Sequence, residues 1–287
     1  MNIDFLSLHI NEEPESGALY IVGTPIGNLF DITLRALNIL NNVSLIACED
    51  TRQTKKILSK YEMKNELISF NMHNSTKKIP KIITFLKEGK SVALVSDAGM
   101  PSICDPGENL VREAKFNNLN IICIPGPCAA TTALVANGFP SSKFIFEGFL
   151  PKKQSDRNKI LLEISKSKKT TIIYESPHRI NKLLTELKKY CGGEREINLS
   201  RELTKKFEEH IGNNIDEVIE KIKNKEILGE ITLVIKGIKN SKDLEFDGSL
   251  LKKELNELLN AGLSLSSASK YLAKKNNIPK NIIYNIN

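Results

Sequence analysis

Short apolar runs separated by amphipathic stretches organise this chain. Runs rich in Val, Ile and Leu fall at Leu19–Val22, Ser44–Cys48, Val92–Ser96, Ile121–Ile124, Phe144–Phe146, Thr170–Tyr174, Glu196–Leu199 and Glu230–Ile235, with helical periodicity between them. Strands alternating with helices predict βαβ units in mostly parallel sheets, an α/β fold. Eight runs are many for one sheet, and "IPGPCAA" (Ile124–Ala130) and "FLPKKQSDR" (Phe149–Arg157) offer places to divide them. The expected layout is a flexible tail over residues 1–18, an N-terminal α/β domain over 19–124 and a C-terminal α/β domain over 125–239.

From "NSKDLEFDGS" onward the strand pattern stops, so 240–287 reads as a linker and three short helices. Ser249 can cap a helix carrying Leu251, Leu255, Leu258 and Leu259, which Gly262 would end. Ser264 or Ser266 starts a second through Tyr271, Leu272 and Ala273, and Pro279 suits the first turn of a third with Ile282, Ile283 and Ile286. The unit reads as helix-turn-helix-like, with Lys270, Lys274, Lys275 and Lys280 left for solvent or phosphate, or else as a helical cap on the second domain.

Composition narrows the class. With 287 residues, 40% of them hydrophobic and 6% aromatic, the chain can bury a core of globular size. No stretch of ~18 consecutive apolar residues occurs, and the start "MNIDFLSLHINEEPESG" is acidic. Neither a membrane span nor a signal peptide is expected, and the expected compartment is the cytoplasm. Cys48, Cys104, Cys123, Cys128 and Cys191 are scattered and form no CxxC pair, which predicts reduced thiols and no zinc or other metal site. The net charge of +7 is one-sided: residues 1–150 hold 14 basic and 15 acidic side chains, leaving 27 basic and 19 acidic for the rest. That asymmetry suits a polyanion partner such as nucleic acid.

Ligands of open parallel sheets bind beyond the carboxyl ends of the strands. Four such tails are unusual: "GTPIGN" after Val22, "SDAGMPSICDPG" (Ser96–Gly107), "PGPCAATTA" after Ile124 and "YESPHR" (Tyr174–Arg179). Glycine and proline make these stiff loops that present backbone N–H and C=O groups. The first loop completes neither GxGxxG nor a P-loop, and "GTPIGN", "SDAGMP" and "PGPCAA" contain no basic residue. A cationic or neutral ligand fits them better than a phosphate, for example one with a sulfonium or ammonium group and an adenine.

The ordered set "VGTPIGNLFDITLRA", "ACEDTRQTKKIL", "LVSDAGMPSICDPG", "IPGPCAATTAL", "FEGFLPKK", "YESPHR", "SRELTKKFEE" and "GEITLVI" resembles the ribosomal RNA small subunit methyltransferase I family, from about Leu19 to the C-terminus. The resemblance implies two α/β domains of the tetrapyrrole-methylase type with S-adenosylmethionine between them, plus a small C-terminal helical unit. It also implies a homodimer, and as substrate the ribose 2′-hydroxyl of a decoding-site cytidine in the 16S rRNA of the small ribosomal subunit. The donor would be surrounded by Pro25, Ser96, Asp97, Ala98, Gly99, Cys128, Ala129, Tyr174, Leu203 and Thr232. Where that family commonly shows His-x-His-Asn-Glu, this chain reads Asn71, Met72, His73, Asn74, Ser75.

Methyl transfer needs the ribose oxygen in line with the S–CH3 bond, and positioning can supply most of the rate. Candidates for a base or a positioning group are Glu49, Asp50, His73 and Glu175, although Asp50 also suits a helix cap. Arg52, Arg179 and Arg201 lie in the matched motifs and carry a planar fork suited to phosphate and base edges; with Asn74, Lys270 and Lys274 they are the expected RNA contacts. Two other readings stay open: a tetrapyrrole C-methyltransferase on the same fold, and a non-enzymatic regulator whose terminal helices bind DNA.

Overall fold

The computed structural model describes residues 13–238, 248–275 and 283–284, with the backbone alone at 248–250. Its first sheet contains β1 (Leu19–Val22), β2 (Leu45–Cys48), β3 (Leu67–Ser69), β4 (Val92–Val95) and β5 (Ile121–Ile124), in the order β3-β2-β4-β1-β5 and all parallel. "LYIV", "LIAC" and "VALV" are apolar at every position because both faces of this sheet are covered. Tyr20, Val22, Ile46 and Ala93 face α1 (Leu34–Asn42) and α2 (Thr51–Lys60) through Ile39, Leu40, Ile57 and Leu58. Leu19, Ile21, Leu45 and Leu94 face α3 (Ser75–Lys87) and α4 (Glu108–Phe116) through Ile82, Leu86 and Leu110.

The second sheet departs from the parallel expectation. Its order is β6-β7-β10-β8-β9, from β6 (Phe144–Phe149), β7 (Thr170–Glu175), β8 (Ile197–Arg201), β9 (Glu209–Ile211) and β10 (Ile231–Ile235). Only β6 and β7 are parallel; β10 runs antiparallel to both β7 and β8, and β8 to β9. One face packs on α6 (Gln154–Lys166), α7 (Pro177–Cys191) and α8 (Ile215–Ile222), through Leu161, Leu183, Leu187 and Val218. The other face, with Ile172 and Val234, receives α5 (Ala129–Asn137).

Strands β3 and β9 escaped the sequence reading because each has three residues and sits at a sheet edge, too short to show a period. Part of the expected tail, residues 1–12, lies outside the described residues, and 13–18 are tied down. Glu13 pairs with Arg35, the Glu15 N–H donates to the Tyr20 hydroxyl at 2.8 Å, and the Gly17 N–H donates to the Gly89 carbonyl at 3.0 Å.

At the chain's end, α9 (Gly248–Asn260) and α10 (Leu265–Lys275) bury Leu251, Leu255, Ala268 and Leu272 together with Ile283, a core separate from the two sheets. Helix α9 begins at Gly248, so Ser249 lies inside its first turn rather than at the cap. Gly262 follows α9 with φ +90°, and Ser264 Oγ caps α10 by accepting the Ser267 N–H at 3.2 Å. The expected third helix lies outside the described residues except for Ile283 and Tyr284. Among the described residues no helix is long and apolar enough to cross a membrane.

The loops after β1 and β5 meet glycine to glycine: a Cβ on Gly126 would stand 2.8 Å from the Gly23 Cα. Gly126→Ala therefore forces two backbone segments apart and is expected to cost about 1–3 kcal/mol. A lowered Tm by circular dichroism checks this.

Candidate active site between the two sheets

In the first sheet the chain leaves β1 for β2 on one side and enters β5 on the other, with β4 in between, so the connections diverge at the carboxyl ends of β1 and β4. Such a switch point opens a crevice. Thr24 and Gly99 bridge it by exchanging backbone bonds of 2.9 and 3.1 Å, and Gly99 supplies the positive φ (+79°) that the turn requires. Ser102 and Cys104 are also left-handed (φ 69° and 66°), winding the loop after β4 tightly over the sheet end. The second sheet faces this edge with the loops after β6, β7 and before β10.

Between them lies a cleft of about 440 Å³, within the usual range for small-molecule sites. Of the residues expected around a donor, Asp97, Ala98, Gly99, Cys128, Ala129, Tyr174 and Thr232 line it. Pro25, Ser96 and Leu203 do not. Pro25 is buried in the loop, Ser96 is 2% exposed with its hydroxyl donated to the Ala98 carbonyl, and Leu203 packs with Ile26 and Tyr174 behind the wall. The cleft also takes in Ile26, Met100, Ile103, Cys104 and Asp105, which lie in the loops singled out from the sequence but were not named individually, and Phe149 at the end of β6.

Tyr174 joins the two halves of the wall. Its hydroxyl accepts the Ala130 N–H at 3.0 Å, fixing the start of α5, and Phe146 and Phe149 meet its ring edge-on at 4.9 and 5.7 Å between centroids. Burial pushes its phenol well above the usual range. Opposite stand three carboxylates. Glu49 is raised by burial and then by Asp105 and Asp97; Asp105 is raised by burial; Asp97 is raised by burial and accepts the Asp50 N–H at 2.9 Å. No Lys, Arg or His is among the residues lining the cleft. Among the described residues no group of three His, Cys, Asp or Glu is placed to hold a metal ion.

The other candidate catalytic groups separate. Asp50 caps α2 and is gripped by Arg52, whose guanidinium approaches to 2.6 Å and, with the Arg52 N–H, lowers the carboxyl to about 2. The capping role expected for Asp50 is thus present, and its carboxyl is committed to Arg52. His73 sits exposed in the turn after β3, outside the cleft lining. Glu175 lines the cleft, but Arg157 lies 3.6 Å from one oxygen while Arg179, at 3.3 Å, and the Ser176 N–H, at 2.9 Å, occupy the other.

Two expected RNA contacts, both partly exposed, also have partners within the protein. Arg201 pairs with Glu209 at 2.7 Å across the β8–β9 hairpin and donates to the Leu228 carbonyl. Asn74 closes its own turn: its Oδ1 accepts the Asn71 N–H, its side-chain amide donates to the Ser69 carbonyl, and its backbone N–H donates to Asn71 Oδ1. Arg179 donates to the Leu150 carbonyl at 2.8 Å and stays 29% exposed. Arg52 is 85% exposed, and Lys270 and Lys274 lie on the exposed side of α10.

Comparison with known proteins accounts for this arrangement. Residues 18–219 match the family described as Tetrapyrrole (Corrin/Porphyrin) Methylases. The chain is 40% identical over 281 residues to the ribosomal RNA small subunit methyltransferase I of Bacillus subtilis, covering 96% of each protein. It is 48% identical over 221 residues to the protein of that name from Thermotoga maritima, covering 77% of this chain and 99% of the relative. A solved cobalt precorrin-4 methyltransferase of cobalamin biosynthesis superposes with a TM-score of 0.59 at 16% identity, over 77% of this chain and 95% of the other, which shows the shared fold. The chain belongs to the ribosomal RNA small subunit methyltransferase I family, a branch of the tetrapyrrole methylases.

Proposed function

We propose that the cleft binds S-adenosylmethionine and that the protein, as a cytoplasmic homodimer, methylates the ribose 2′-hydroxyl of a decoding-site cytidine in the 16S rRNA of the small ribosomal subunit. The observation that carries this reading is a cleft lined by five carboxylates, Glu49, Asp97, Asp105, Glu175 and Glu230, and no basic side chain, on a chain of net charge +7. The cleft's chemistry suits a cation and the chain's surplus suits a polyanion. The names of the relatives agree with an rRNA substrate. In domain terms, 19–124 and 125–239 supply the two walls and 240–287 an appended unit.

When bound, the donor supplies a methyl group already activated on a sulfonium. Asp97 and Asp105 favour that positive charge, while Phe149, Ile103 and Met100 offer an apolar face to the adenine. Orienting the ribose oxygen is the larger task. Glu49, following β2 and facing the cleft, is the group placed to take the hydroxyl proton; Glu175, held by the Arg157 and Arg179 ion pairs, belongs to the wall. Arg52, at the first turn of α2, reaches the RNA backbone, as do Lys270 and Lys274.

Incubating the protein with radiolabelled S-adenosylmethionine and small subunits that lack the modification is expected to place label on one ribose. Donor binding with no transfer to subunits would sink the reading and turn attention to a tetrapyrrole acceptor. Glu49 accepts a proton only when ionised, and its carboxyl lies above the ordinary 4.5, so kcat should fall as pH drops through that raised value. Glu49→Gln is expected to lose about 10²-fold or more in kcat together with this acid limb. A pH profile that Glu49→Gln leaves unchanged would assign proton acceptance elsewhere. Arg52→Ala should raise KM for subunits several-fold while donor affinity by calorimetry stays within twofold.

A further inference from the structure

Two aromatic side chains that belong to neither core stand out in solvent on the two loops flanking the cleft. Phe30, in the short 3-10 turn Leu29–Asp31 after β1, is 78% exposed, and Phe207, in the loop joining β8 to β9, is 64% exposed. Apolar side chains exposed singly are ordinary, Phe116 among them, but two on loops that meet beside a site make a candidate contact surface.

The two loops are locked together. The Asn28 N–H donates to Thr204 Oγ1 at 3.1 Å, and a Cβ on Gly27 would stand 2.4 Å from Lys205 Cγ, so the strands of chain touch there. Each loop is also stiff. Asn28 caps the 3-10 turn, and the Tyr61 hydroxyl donates to the Leu29 carbonyl at 2.6 Å. Glu202 and Thr204 are left-handed (φ 51° and 66°), and Glu208 accepts the Thr204 N–H at 2.7 Å. The first loop runs into the cleft, and the second meets its edge through an ion pair. Ile26 lines it, and Lys205 pairs with Glu230, which also lines it.

Each ring has a lysine beside it. Lys60 Nζ lies 5.5 Å from the centre of the Phe30 ring and Lys206 Nζ 5.5 Å from that of Phe207. The exposed face of α2 adds Arg52, Lys55 and Lys56. A rigid pair of rings with cations beside each is the arrangement that holds unstacked nucleotides: the bases lie on the rings and the phosphates meet the ammonium groups. We propose that Phe30 and Phe207 form a stacking platform for bases of the rRNA strand flanking the target ribose, holding that nucleotide out of its own stack so that its sugar can enter the cleft. The proposal rests on the reading of the cleft as an RNA methyltransferase site.

The test compares Phe30→Ala, Phe207→Ala, Phe30→Tyr and, as a distant control, Phe116→Ala at the far end of α4, where the ring is 81% exposed. Methyl transfer to small subunits, affinity for a decoding-region RNA by fluorescence anisotropy, donor affinity by calorimetry and mass by light scattering are measured for each. Expected are a loss of about tenfold or more in RNA affinity and kcat/KM for the two Ala variants, recovery in Phe30→Tyr, and unchanged donor affinity, mass and Phe116→Ala activity. Ala variants as active as the parent would overturn the platform while leaving the methyltransferase reading intact. So would a change in mass, which would assign the rings to a contact between copies of the chain, or a loss on subunits with none on RNA, which would assign them to a protein of the subunit. A parent protein that transfers no methyl group to subunits would instead remove the reading on which the platform stands.

Discussion

The site depends on one small apolar cluster. Ile26 from the first loop, Leu203 from the β8–β9 loop, and Ala130, Ala133 and Leu134 of α5 pack with Ile172 and Val234 of the second sheet. Residues from both halves thus share a single dehydrated contact, and the two sheets face each other across a gap instead of moving as beads on a string. The side chains on α5 are small because the helix must lie close to the sheet; its N-terminus then falls where the Tyr174 hydroxyl can reach the Ala130 N–H. The width of the cleft follows from that distance, and the placement of Asp97 and Glu49 against Phe149 follows from the width.

The sequence exposed the parts of this arrangement that repeat along the chain. Buried parallel strands such as "VALV" announce themselves as unbroken apolar runs, and the Gly- and Pro-rich tails mark where a parallel sheet presents its ligand edge. The family resemblance read from eight ordered motifs is borne out by the comparisons, and the two-sheet fold with it. What stayed hidden depends on pairing. Nothing in Glu230–Ile235 says that β10 will insert antiparallel between β7 and β8, because a strand buried on both faces reads alike in either direction.

Site residues divide in the same way. The loops that carry Asp97, Gly99, Met100, Asp105 and Cys128 have a visible signature, but which of their side chains face the cleft is decided by the left-handed turns at Gly99, Ser102 and Cys104. Arg201 has a partner that its own motif does not disclose. Its motif suggests a surface role, yet the β8–β9 hairpin, too short to be read from the sequence, brings Glu209 within 2.7 Å. A basic residue can be assigned to solvent only once the strand pairing around it is known.

The buried charges beneath the cleft carry one more consequence. Arg157 is 2% exposed, lies 2.6 Å from Glu186 and 3.6 Å from Glu175, and Glu175 in turn meets Arg179. Removing Arg157 or Glu175, the two fully buried members, strands an opposite charge in a dry interior, at about 3–5 kcal/mol, whereas replacing a buried pair with apolar residues of similar volume is often close to neutral. Substitutions at 157 and 175 are therefore viable together and damaging singly. Across the relatives of this chain the two positions should travel as one inherited unit, changing in concert even though helix, strand and loop separate them in sequence.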